Sequence, residues 1–245
     1  MLIPGSGGSK ASQSRRFGTI RLLSSLSRLC RVYLGLVAFS LAGSLLSKLT
    51  GLQPGPIAPI AAALTIGVGF VAVFHEIWSL NKAAAYWMLP LALVLSAGIE
   101  LVGLTTGFPF GRYTYTDRWQ PTVVVGHLFF PVLLPFAWLL VVGSATVICA
   151  RKRYYALWAA GLATLIDFGM EPVMTGPLRY WVWLKHGPLP GGAALLNPVG
   201  WFVTALAVSA LLSRLKVESS FTAKVVLGGH LILTFGIGAI AMIPR

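Results

Sequence analysis

Residues 57–80 read IAPIAAALTIGVGFVAVFHEIWSL, from Ile57 to Leu80, and carry no ionisable side chain until His75 and Glu76 near their end. About 20 apolar helical residues cross a hydrocarbon core of about 30 Å, so this run is long enough to span a bilayer. Six more runs of the same kind surround it: Val32 to Leu49, Ala83 to Leu104, Val123 to Ala150, Tyr155 to Met174, Ala193 to Leu212 and Val225 to Ile243. The predicted fold is all-α, a polytopic transmembrane helix bundle of about seven spans. The fourth run is long and holds Pro131 and Pro135, which predicts a tilted or kinked helix.

Composition agrees with that reading. The chain is 56% hydrophobic and 10% charged, with a mean hydropathy of +0.80, outside the soluble globular range. Its net charge of +13 does not mark a nucleic-acid binder, because Lys and Arg fall between apolar segments and form no basic face interleaved with aromatics. They read instead as topology signals. Placing the N-terminus inside puts thirteen of the nineteen Lys and Arg residues on the inner side and six outside. Residues 1–31, basic and Ser-rich, are read as a disordered cytoplasmic tail, with a transit-like segment as the other reading, and residues 32–245 as one transmembrane helical domain. Cys30 and Cys149 stand far apart, each beside a basic cluster, so no structural disulfide is expected, and no Cys/His metal pattern occurs.

Three carboxylates fall inside apolar runs: Glu100, Asp167 and Glu171. An ionisable group at membrane depth is costly and marks function by default. At 1.5 Å per residue, Asp167 lies about 18 Å along an outward span and Glu100 about 25 Å, while His127 and Asn197 lie about 6 Å into inward spans. All four therefore belong to the outer half. Asp167 and Glu171, four residues apart, share a helix face. Carboxyls grouped in a low dielectric cannot all ionise cheaply, so the cluster divides into a protonated acid and an ionised base. The bland alternative pairs them with Arg112, Arg118 or each other, only to fix helix packing.

Beside them, Gly107-Phe-Pro-Phe-Gly-Arg-Tyr-Thr-Tyr-Thr116 is too broken by Gly and Pro to stay helical. Its Arg112, Tyr113 and Tyr115 are candidates to clamp a polar group or hold the acids, or else are snorkelling and belt residues. His127 reads as a proton relay or as an interfacial histidine bonded to a loop carbonyl. Asn197, before Pro198, caps a helix break or donates to a substrate hydroxyl or water. Pro172 after Glu171 predicts a bend or end there. The segment 178–184, with Tyr180, Trp181 and Trp183, reads as an interfacial aromatic belt. His75 and Glu76 read as interfacial, and His230, beside Gly228 and Gly229, as a packed core residue.

These residues resemble the integral-membrane carotenoid biosynthesis proteins, among them the carotenoid ψ-end 1,2-hydratases and the hydratase of the bacterioruberin pathway. The resemblance is carried by Glu100 through Thr116, by Pro131-Val-Leu-Leu-Pro-Phe-Ala-Trp138, by Asp167-Phe-Gly-Met-Glu-Pro-Val-Met174 with Trp181 and Trp183, and by Asn197-Pro-Val-Gly-Trp-Phe202. It implies hydration of the terminal double bond of a linear or monocyclic carotene such as lycopene or γ-carotene. The catalytic candidates are then Asp167, Glu171, Glu100 and His127. Tyr113, Tyr115, Arg112, Trp181, Asn197 and Trp201 are the substrate-binding ones, with the aromatic rings offering π faces to a cation. No metal or cofactor is called for by this chemistry. The implied partners are the carotene within the bilayer, membrane lipids and other enzymes of the carotenoid pathway, in a bacterial plasma membrane or a thylakoid-like membrane. A lycopene-type cyclase shares the protonation step, and a small membrane transporter also tolerates buried acids and broken helices. A prenyltransferase would want a second acid-rich motif, which the chain lacks.

Overall fold

The computed structural model describes residues 26–53, 55–80, 82–215 and 218–244. Residues 1–25 of the expected tail lie outside the described residues. Helix α1 (Arg28–Thr50) begins four residues earlier than the apolar run does. Ser27 is the reason: its side chain accepts from the Cys30 amide at 3.2 Å and caps the helix.

Six further helices follow among the described residues: α2 (Ile57–Leu80), α3 (Lys82–Thr106), α4 (Leu134–Cys149), α5 (Tyr155–Thr175), α6 (Leu196–Ser213) and α7 (Phe221–Met242). The fold is an all-α helical bundle. Five of its helices, α1, α2, α3, α6 and α7, are long and apolar enough to cross a membrane. Two glycines close α1 and α3 in left-handed conformation, Gly51 at φ 76° and Gly107 at φ 79°.

At the centre stands α4, which packs against α2, α3, α5, α6 and α7. It buries every residue except Phe136, Ala137 and Ile148. Its 16 residues reach only about 24 Å, short of a hydrocarbon core. This corrects the expected fourth span from Val123 to Ala150, whose first third is not helical. Strands β2 (Thr122–Val125) and β3 (Leu128–Pro131) form an antiparallel hairpin, with Val125 paired to Leu128 across a Gly126-His127 turn. Three consecutive valines favour strand, and Gly126 at φ 62° supplies the left-handed turn residue. The helix then starts where Pro135 occupies its first turn.

A second antiparallel pair joins β1 (Tyr113–Tyr115) to β4 (Trp181–Trp183), with Tyr113 opposite Trp183 and Tyr115 opposite Trp181. The period of two puts all four rings on one face. That pairing overturns the belt reading of residues 178–184. Pro172 does not end α5 either: the helix runs on to Thr175, and Pro172 sits within its last turn. Gly111, at φ 113°, lets the chain turn into β1, and a Cβ there would lie 2.5 Å from that of Ala194.

Candidate active site

The β1–β4 pair packs on α3 and α5, and its rings bond to Glu100 and Glu171. All three are buried: Glu100 is 4% exposed, Asp167 1% and Glu171 2%. Each is held by neutral donors. Glu100 Oε1 accepts from the Trp138 indole at 2.6 Å. Its Oε2 accepts from the Tyr113 hydroxyl and, at 3.2 Å, from that of Tyr115. Glu171 takes the indole N–H groups of Trp181 at 3.3 Å and Trp183 at 3.2 Å. The Asn197 amide bridges the other two acids, donating to Asp167 Oδ2 at 2.8 Å and to Glu171 Oε1 at 3.4 Å.

Of the six carboxylate oxygens, Asp167 Oδ1 alone accepts no hydrogen bond among the described residues. A buried polar atom left in this way is uncommon and calls for an explanation. All three acids line one cavity of about 470 Å³, together with Tyr113, Tyr115, Trp138, Trp181, Trp183, Asn197 and Trp201. Trp138 and Trp201 stack face to face, at 3.7 Å between centroids and 12° between planes. Burial, and then the neighbouring Glu100 charge, push the phenols of Tyr113 and Tyr115 well above the usual tyrosine value, so both remain hydroxyl donors. From the acids the cavity runs on between α1, α2 and α7, along a mainly apolar wall that includes Ala58, Ala62, Ile66, Leu233 and Ile237. Among the described residues no group of His, Cys, Asp and Glu is arranged to hold a metal ion.

The expected site residues divide. Glu100, Asp167, Glu171, Tyr113, Tyr115, Trp181, Asn197 and Trp201 come together on the cavity. His127 does not: it is exposed at the tip of the β2–β3 hairpin, because the segment that carries it is a strand pair rather than the start of a span. Arg112 is also exposed, between the inward-facing positions Gly111 and Tyr113, and neither it nor Arg118 appears among the donors to the acids. Asn197 caps nothing, since α6 starts at Leu196 with Leu195 in the cap position. His230 lines the cavity instead of packing in the core. Glu76 accepts hydroxyl bonds from Ser220 and Thr222 and ties α2 to the start of α7. Two residues escaped the sequence reading as site candidates, Trp138 and Trp183. Trp138 looked like a routine apolar residue whose only signal was a place in the quoted blocks, and Trp183 was read as part of an aromatic belt.

Comparison with known proteins gives a family. Residues 60–242 match the sequence model of the family described as carotenoid biosynthesis protein. The chain is 29% identical over 178 residues to a bisanhydrobacterioruberin hydratase of Haloarcula japonica. That alignment takes in 69% of this chain and 59% of the relative, so the chain spans less than two thirds of its length. No solved structure matches the chain. The family match covers most of the sequence, and the acids, the aromatic strand pair and Asn197 all fall within it: the chain is a membrane protein that belongs to the carotenoid biosynthesis protein family.

Proposed function

We propose that this protein is a carotenoid 1,2-hydratase, adding water across the terminal double bond of a lycopene- or γ-carotene-type chain. The observation that carries the reading is the unequal treatment of three carboxylates on one cavity. Glu100 and Glu171 are surrounded by donors, which suit ionised acceptors, whereas Asp167 keeps an oxygen without a partner. A protonated Asp167 with its hydroxyl on Oδ1 has no other acceptor to satisfy and is free to give its proton to an alkene.

Protonation at C2 leaves a tertiary cation at C1. Water adds there, and Glu171 takes the proton released from that water, so the reaction consumes one alkene and one water and yields one tertiary alcohol. The Asn197 amide, bonded to both acids, orients the pair. The stacked Trp138 and Trp201 faces and the Glu100 charge stabilise the cation. The relative's hydratase name supports the same class of reaction. A cavity of about 470 Å³ takes the reacting end and leaves the rest of a long polyene to lie along the apolar helices. This reading treats residues 32–245 as one multi-pass helical domain with its N-terminus inside, the strand pairs on the outer side, and lipids and carotene as its partners.

The test is oxygen labelling. The full chain in lipid nanodiscs, supplied with lycopene in ¹⁸O-water, is expected to give a tertiary alcohol carrying ¹⁸O. A product with unlabelled oxygen, or pigment recovered unchanged, would overturn the proposal.

A further inference from the structure

Hydration consumes water inside a cavity whose walls are mainly apolar, and the catalytic acids account for only part of its polar lining. A further part lies on α1 and α7. Ser40, Ser44 and Ser47 recur at helical spacing, so they share one face of α1, and all three line the cavity. His230 and Thr234, four residues apart on α7, line it as well. Thr234 is 3% exposed, and the Ser40 Oγ is buried without a hydrogen-bond partner among the described residues.

The row has two ends. At the edge of the bundle stands Lys48, whose Nζ donates to the Ala241 carbonyl at 3.1 Å and joins the last turns of α1 and α7. An ammonium group is costly in hydrocarbon, so this edge faces water or headgroups. At the far end is Asp167 Oδ1, 1% exposed and without a partner. We propose that the serine face of α1, with His230 and Thr234 of α7, forms a water passage from the Lys48 edge to the carboxylates. Its purpose rests on the hydratase reading: it delivers the second substrate, while the carotene occupies the apolar wall of α2 and α7. Hydroxyls and an imidazole suit this task, because each both donates and accepts as single waters pass.

Two measurements test it. The first needs no activity. Ser44→Cys and Thr234→Cys, in the full chain in nanodiscs, are treated with a small cationic methanethiosulfonate and compared with Val94→Cys on the exposed face of α3. The native Cys30 and Cys149 are buried, and the unaltered chain sets the background. Thiolates form only where water reaches, so both passage cysteines are expected to react about tenfold faster or more than Val94→Cys. Equal, slow reaction at all three positions would overturn the passage.

The second measurement reads the supply of water to the cation. Ser40→Val and Thr234→Val are assayed in D₂O. A cation that forms but meets no water returns a proton to the base and reappears as alkene carrying deuterium. The ratio of deuterated carotene to hydrated product is expected to rise in both variants. A parallel fall of both products would show a loss of fold alone and overturn the supply role. Reactive cysteines in Ser44→Cys and Thr234→Cys, with a wild-type chain that makes no hydrated product, would support the passage and overturn the hydratase reading.

Discussion

Asp167 and Glu171 sit one helical turn apart and share Asn197, yet only Glu171 is saturated with donors. Replacing Asp167 by Asn keeps the size of the side chain and removes its proton. Product per unit of membrane-inserted protein is expected to fall about 10²- to 10⁴-fold, the usual worth of one general acid, with protein level unchanged by immunoblot. The acids themselves were legible in the sequence, because a carboxylate inside an apolar run stands out by its cost. Their partners were only half legible. Tyr113 and Tyr115 lay in a conspicuous polar break, whereas Trp138 is one more large apolar residue in a hydrophobic helix. His127 misled for the opposite reason: polarity drew attention to it, but a hairpin carries it away from the cavity.

Tyr113 also makes a prediction in pH. Its phenol titrates above the ordinary value of about 10 in the folded protein because burial and the Glu100 charge both oppose a phenolate. The stabilisation from its neutral form is therefore complete below the unfolded value and is lost as pH rises through the higher folded one. Tyr113→Phe is expected to remove an ultraviolet titration step lying above pH 10 and to leave the profile from pH 6 to 9 unchanged. A lost step near neutrality would contradict the burial of this side chain.

At the scale of elements, the site depends on two antiparallel strands that turn over the helix ends. The loop between α3 and α4 folds inward because Gly111 adopts φ 113° and approaches both Ala194 and the Trp183 ring. Gly111→Ala introduces strain of about 1 to 3 kcal/mol and a steric conflict with Ala194. It is expected to lower the thermal midpoint and to loosen β1 from β4, with a fall in product larger than the loss of folded protein at the assay temperature. A variant with wild-type stability and activity would contradict this role. The same scale explains why helices were easier to read than strands. Long apolar periodic runs set α2, α3 and α7 within a few residues, whereas Thr122 to Pro131 is mostly apolar, and only its run of valines and the Gly126-His127 step separate a hairpin from a membrane helix. β1 and β4 are three residues each and pair across a long stretch of chain, a contact that no local pattern announces.

At the scale of the molecule, the short helix α4 is surrounded by longer ones, and the carboxylates gather where α3, α5 and α6 meet the strand pair. The orientation proposed from the Lys and Arg counts puts that end of the bundle outside. A reporter active only beyond the membrane, fused in the Gly126-His127 turn, is expected to be active, and one fused after Arg151 to be silent. The reverse pattern would contradict the orientation. In the proposed function the cavity protonates a carotene end and lets water capture the cation. The most direct measurement is the pigment mass from a lycopene-producing host expressing this chain. The account predicts pigment heavier by one or two waters, abolished by Asp167→Asn at equal protein level. Pigment of unchanged mass, whether intact or cyclised, with the wild-type protein present in the membrane, would contradict it.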